Sequence, residues 1–233
     1  IGWYRKHLFL DDMDMRNRKL HIEFEGVFRN STLWVNGEKV GVHESGYTGF
    51  SYDITPFVRG GSRSNVLAMR VDSRAVEGWW YEGSGIYRNV CVTSTEKVHV
   101  AIWGTFVTTP VISSDAATVR VTTTLEKDAE RSHNCVVLTH VLNSNQEVVL
   151  TIESDAALST HKPVNVVQQG ELPKPQLWSP ENPYLYRART EVFDSGRKVD
   201  EVETLFGIRW FDFTSDAGFF LNGKHVQLRG GCI

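Results

Sequence analysis

Apolar and polar residues alternate with a period of two along most of the chain, the pattern of strands that bury one face. Residues 3 to 10 and 20 to 28 carry this alternation on either side of a polar break, Asp11-Asp12-Met13-Asp14-Met15-Arg16-Asn17, which predicts strand, loop, strand. In Thr32-Leu33-Trp34-Val35-Asn36-Gly37-Glu38-Lys39-Val40 an Asn-Gly pair stands between two β-prone arms, and because both residues tolerate positive φ it predicts a tight hairpin. Aromatics at 47, 50 and 52 lead to a break at Thr55-Pro56, and the polar stretch from Arg59 to Asn65 reads as a turn before a strand from Val66 to Asp72. No helical period is sustained here. Seven or so short strands with Gly, Asn and Pro turns predict a β-sandwich of jelly-roll type.

From Glu96 onward the alternation is plainer. Val98 to Val107 begins it, and Ala117 to Leu125 is predicted as a half-buried strand whose polar residues face out. Cys135 to Leu142 and Glu147 to Ile152 are expected to form a hairpin about Asn143-Ser144-Asn145, and Pro163 to Gln169 adds another strand. The proline-rich link Leu172 to Pro183 is not expected inside a sheet, since its prolines remove ladder donors. Tyr184 to Val192 closes against Lys198 to Phe206, and the strand count and spacing suit an immunoglobulin-like sandwich. A second Asn-Gly hairpin follows at Asn222-Gly223.

The densest chemistry lies in Trp79-Trp80-Tyr81-Glu82-Gly83-Ser84-Gly85-Ile86-Tyr87-Arg88. Successive strand side chains face opposite ways, so three adjacent aromatics cannot all enter one core and at least one ring is expected at a surface or rim. Trp79, Trp80 and Tyr81 offer an apolar wall to a ligand, and Glu77 or Glu82 can accept hydrogen bonds, which is how pockets orient polar ligands against aromatic walls. The competing reading packs these rings between neighbouring domains and makes Arg88 a buried partner to an acid.

Composition narrows the class. The 25 basic and 28 acidic residues of the 233 give a formal net charge of −3 and form no run of either sign, which argues against a nucleic-acid surface or an electrostatic membrane anchor. No stretch approaches the roughly 18 apolar residues of a membrane span. Cys91, Cys135 and Cys232 are an odd number without metal-ligand spacing, so neither a disulfide framework nor a zinc site is indicated, and Cys91 and Cys135 are expected as small core residues. The eight histidines form no close pair. Asp11, Asp12 and Asp14 lack the glycine and distal glutamate of a calcium loop and read as a solvated turn, and Asn30-Ser31-Thr32 fits a short glycosylation sequon. Both chain ends look cut: Ile1 to Lys6 read as a strand already under way, and the last residues stop abruptly.

Six blocks in order carry a resemblance: Phe24-Glu25-Gly26-Val27, Leu33-Trp34-Val35-Asn36-Gly37, Gly41 to Tyr47, Phe50 to Pro56, Asn65 to Asp72 and Gly83 to Arg88. Together they resemble glycoside hydrolase family 2, which holds β-galactosidases, β-glucuronidases and β-mannosidases. Leu177 to Tyr186 and Phe206-Gly207-Ile208-Arg209 extend the match. The resemblance implies an all-β chain: a truncated galactose-binding-like jelly roll over 1–94 with its N-terminal strands missing, an immunoglobulin-like sandwich over 95–210, and over 211–233 a hairpin leading into a (β/α)₈ barrel. It also implies a retaining hydrolysis by two glutamates held about 5 Å apart on that barrel, beyond residue 233, so no residue here is assigned a catalytic role and the fragment is expected to be inactive, without cofactor or metal. Its partners would be a β-galactoside or related glycoside in the full enzyme, and its own barrel. In some β-galactosidases an acid just before the aromatic pair reaches the sugar; here Trp79 takes that place and Glu77 lies two residues earlier. A stand-alone carbohydrate-binding or adhesion module is the rival reading. The choice among galactoside, glucuronide and mannoside, a homo-oligomeric state, and the compartment, whether bacterial periplasm, extracellular space or cytoplasm, stay open.

Overall fold

The computed structural model describes residues 1–10, 17–75, 82–128, 132–159 and 162–231. It divides into two compact units, Ile1–Lys97 and Val98–Ile233.

In the first unit β1 (Gly2–Leu10), β7 (Gly61–Val71), β4 (Ser31–Val35) and β5 (Glu38–His43) form one antiparallel sheet in that order. A second sheet holds β6 (Phe50–Asp53), β2 (Arg18–Phe24) and β9 (Val90–Glu96), and β3 (Val27–Phe28) pairs with β8 (Gly85–Ile86). Alternation places Leu20, Ile22 and Phe24 of β2 and Leu67, Met69 and Val71 of β7 in one core with Leu33, Val35 and Ile54. The Asn-Gly hairpin joins β4 to β5, with Asn36 at φ 54° and Gly37 at φ 89°. Thr55–Phe57 forms a single 3-10 turn opened by its proline.

Two expectations change here. The polar stretch from Gly61 to Asn65 is not a turn but the start of β7, because its backbone pairs with β1 as far as Gly61 opposite Leu10. Asn65 is fully buried and anchors the preceding loop: its carbonyl accepts from Arg59 N–H at 2.7 Å and from the Asn36 amide at 2.8 Å. Cys91 is exposed rather than in the core, since it stands opposite Glu23 on the outward side of β9, an edge strand.

The second unit pairs β10 (Val98–Ile112), β11 (Ala116–Lys127) and β14 (Val164–Pro173) in one sheet, and β13 (Val148–Leu158), β12 (His133–Leu142), β15 (Tyr186–Asp194) and β16 (Arg197–Phe206) in the other. The β12–β13 turn is held by the Asn143 side chain, whose carbonyl accepts from Asn145 and Glu147 N–H at 3.0 Å each. Pro173 closes β14, an edge strand where a missing donor is tolerated. β17 (Phe211–Thr214), β18 (Gly218–Leu221) and β19 (Lys224–His225) make a small sheet around Asn222 and Gly223, both at positive φ.

The core of this unit is layered. Leu125, Val137, Val166 and Val192 belong to one apolar cluster, and Val121, Val141, Ile208 and Leu172 to another. Between them stand Thr123, Thr139, Gln168 and Thr190, each no more than 1% exposed. Thr123 thus faces inward, against the expectation that the polar residues of β11 face out. Thr139 Oγ1 donates to Gln168 Oε1 at 2.6 Å and lies 3.1 Å from Thr190 Oγ1, while Gln168 Nε2 donates to the carbonyls of Val137 and Ile152 at 2.9 and 3.2 Å. Thr123 shares the phase of Val119, Val121 and Leu125, so the period of two places it inward although its side chain is polar.

Candidate functional site

Of the five residues singled out from the sequence, Glu77, Trp79, Trp80 and Tyr81 lie outside the described residues. Glu82 is described, half-buried, with its Oε1 buried and unpartnered. The site is therefore framed by the described residues that flank them, up to Ala75 and from Glu82 onward.

The entry end is built on β7. Arg70, Asp72 and Arg74 stand at alternate positions, and both guanidiniums converge on one carboxylate, at 2.5 Å from Arg70 and 2.8 Å from Arg74. Hydrogen bonds from Arg74, reinforced by Arg70 and opposed by desolvation, hold the Asp72 carboxyl far below the usual carboxylate range. Asp72 raises the Arg74 guanidinium in return. From the neighbouring strand, Asn30 Nδ2 donates to Asp72 O at 3.2 Å, Asp72 N donates to Arg29 O at 3.1 Å, and the buried Arg29 guanidinium donates to Ala75 O. Asn30, Arg70, Asp72, Arg74 and Ala75 line a polar cavity of about 310 Å³. Of this group the sequence marked Asp72 as the end of a strand and Asn30 as part of a sequon, and neither as part of a cluster. The signal for the rest was the Arg-x-Asp-x-Arg spacing, which puts all three side chains on one face of an extended chain.

The exit end is fixed by close packing. Gly85 sits at φ +112°, and a Cβ there would meet Tyr4 Oη at 2.2 Å. Ile86 N–H donates to that hydroxyl at 3.4 Å. Tyr87 Oη donates to Gly46 O at 2.7 Å, and its ring lies where a Cβ on Gly26 would be, 2.6 Å away. Ser73 and Ser84 join the two ends by a hydroxyl hydrogen bond of 2.7 Å. Arg88 pairs with Glu25 at 3.3 Å, but its side chain is 59% exposed, so the acid partner is there and the burial is not. The tight Gly26–Tyr87 contact fixes the backbone at this point while the guanidinium reaches out along the surface.

This arrangement ties the end of β7 to the start of β8. Asp72 is ionised and saturated by two cations, which disqualifies it as a general acid near neutral pH. Among the described residues no group of three or more His, Cys, Asp or Glu could hold a metal ion.

The described residues form two β-sheet units in tandem, and comparison with known proteins identifies both. Residues 1–96 match the family model for the sugar binding domain of glycosyl hydrolases family 2, and residues 98–209 match the model named for the family itself. The chain belongs to glycosyl hydrolases family 2. It is 37% identical over its whole length to the beta-galactosidase BoGH2A of Bacteroides ovatus, spanning 27% of that protein, and 34% identical to a putative beta-glucuronidase of Formosa agariphila, spanning 22% of it. Among solved structures, a family 2 member from Bacteroides cellulosilyticus superposes with a TM-score of 0.94 at 37% identity, covering 99% of this chain and 32% of that one. Beta-glucuronidase 2 of Bacteroides uniformis gives 0.88 at 29% identity, covering 98% and 29%. The chain thus spans about a quarter to a third of most of these relatives.

Proposed function

We propose that this chain is the non-catalytic N-terminal part of a retaining, β-galactosidase-like glycoside hydrolase, where it buttresses the catalytic barrel and shapes the rim of its sugar pocket. The observation that carries the reading is the order of the two family matches, sugar binding domain then family domain, in a chain that spans only 27% of a beta-galactosidase. Chemistry would come from two glutamates of the barrel, one as nucleophile and one as acid/base. The contribution of this chain would be Glu77, Trp79, Trp80, Tyr81 and Glu82 at the rim of the sugar pocket. The Asp72 cluster, the Ser73–Ser84 bond and the Tyr4–Gly85 contact support that role, because they fix the described residues on both sides of that stretch, and a preorganised flank lowers the entropic cost of a ligand contact.

In this reading the jelly roll is completed by preceding strands. Support comes from an apolar cleft of about 390 Å³ that opens into its core between the edge strands β1 and β9, lined by Tyr4, Leu8, Ile22, Leu67, Val90 and Val92. Inward-facing Val90 and Val92 are 42% and 40% exposed there. Such an opening is what an extended segment of the parent protein would fill.

The test is hydrolysis of nitrophenyl β-galactoside and β-glucuronide by the full-length parent and by the 233-residue chain, both freed of host enzyme. Turnover by the parent alone is expected. Turnover by the chain itself, or none by the parent on any β-glycoside, overturns the reading.

A further inference from the structure

The outward face of the sheet β1-β7-β4-β5 carries two cross-strand rows. In one, Arg5, Ala68, Trp34 and Lys39 stand opposite one another; in the next, Trp3, Arg70, Thr32 and Val42. Trp3 and Trp34 belong to strands separated by β7, yet their ring centroids are 5.4 Å apart, tilted by 33°. Between them β7 presents Ala68, opposite Trp34, and Arg70, opposite Trp3, and the small Ala68 side chain leaves room for the two indoles to lean together. Trp3 is 63% exposed and Val42 48%, so the pair forms an open apolar shelf on a rigid sheet. A pyranose presents one face of C–H groups, and stacking that face on an indole buries apolar area without stranding hydroxyls.

Charge narrows the ligand. Neither the Arg5 nor the Lys39 side chain makes a hydrogen bond or ion pair among the described residues, and both are exposed, whereas Arg70 is already paired with Asp72. The chain as a whole carries a formal charge of −3, so this face is locally opposite in sign to the rest. Arg5 and Lys39 lie on the two outer strands, three interstrand steps or about 14 Å apart, with the indoles between them. A single sugar cannot reach both cations, while an oligomer laid across the shelf can. We propose that this face is a glycan-contact surface for an acidic, uronate-containing polysaccharide: Trp3 and Trp34 stack a sugar ring, and Arg5 and Lys39 pair with carboxylates on either side. The surface is separate from the loop of the proposed pocket rim and does not depend on the hydrolase reading.

Affinity electrophoresis of the 233-residue chain in native gels tests it, with polygalacturonate as probe and neutral galactan at equal concentration as comparison. Retardation by polygalacturonate and none by galactan is expected, lost in 0.5 M NaCl by screening. Arg5→Gln/Lys39→Gln, which changes only exposed side chains, weakens binding about 10-fold, and Trp34→Ala does so by a similar factor, while Trp34→Phe restores it. Three outcomes overturn the proposal: no retardation of the unaltered chain, retardation unchanged in the double variant, or retardation unchanged in Trp3→Ala and Trp34→Ala together. The remaining outcome, that this face docks on another domain, is read in the full-length parent by acrylamide quenching: shielding of the Trp3 and Trp34 fluorescence there overturns the glycan assignment. Turnover of nitrophenyl glycosides by the same parent is unchanged in Arg5→Gln/Lys39→Gln, so failure here and failure of the hydrolase reading are told apart.

Discussion

Replacing Gln168 by Met isolates the polar layer that divides the core of the second unit. Methionine keeps the length and most of the volume, so packing is nearly preserved and what is lost is the amide: one hydrogen bond from Thr139 at 2.6 Å and two to the carbonyls of Val137 and Ile152 at 2.9 and 3.2 Å. At a net value of about 1 kcal/mol for each, the cost is about 3 kcal/mol, because the site is fully buried and no water replaces the partners. Removing the hydroxyls as well reverses much of this. In Gln168→Met/Thr139→Val/Thr190→Val the threonines no longer seek an acceptor, and stability recovers by about 1–2 kcal/mol relative to the single variant. Hydrogen exchange followed by mass spectrometry on peptides from β12 and β14 reads this unit alone. A loss of 3 kcal/mol speeds global exchange there on the order of 100-fold. The reasoning is refuted if Gln168→Met exchanges at the original rate, or if the triple variant is less stable than the single one.

Three further outcomes follow from the same geometry. Gly85→Ala forces an L side chain into φ +112° against Tyr4 Oη, and lowers the melting temperature by about 2–8 °C through roughly 1–2 kcal/mol of strain; Gly83→Ala, with open space at its Cβ, does not. Asp53 is pushed up by burial but pulled further down by hydrogen bonds from Lys19 and Thr55, and Asp72 is pulled down by Arg74 and Arg70. Since both folded values lie below the unfolded one, the stability they contribute is complete above about pH 4 and is lost as pH falls below it, so Asp53→Asn and Asp72→Asn flatten the acid limb of melting temperature against pH. Maleimide modifies Cys91 in the folded chain but not Cys135, whose thiol is buried and pushed up to about 11; Cys91→Ser therefore removes a reactive thiol that Cys135→Ser leaves in place, as counted by intact mass.

Turn chemistry was the most legible part of this chain. Asn36-Gly37 and Asn222-Gly223 appear at the expected hairpins because the pair encodes positive φ within two residues, and the Asn143 turn is held by its own side chain. The β15–β16 pairing and the paired Arg88 were also readable. The loop chemistry was legible only as composition: aromatics and acids are visible in Trp79 to Glu82, but the brace formed by Arg29, Arg70, Asp72 and Arg74 joins residues more than 40 positions apart, from 29 to 75.

The sequence by itself determined most of the strands and the tight turns, because alternation of period two and positive-φ residue pairs are local properties that each segment carries alone, and its motif blocks in order carried the resemblance to the family. Tertiary structure decided the rest. It ran β7 back through polar residues to Gly61, since ladder hydrogen bonds use backbone groups that every side chain shares. It placed Cys91 on an exposed edge, and it closed Thr139, Gln168 and Thr190 into one hydrogen-bonded layer, because those partners come from three different strands. It also brought Trp3 to Trp34 across an intervening strand at Ala68, a meeting that neither tryptophan's own segment encodes.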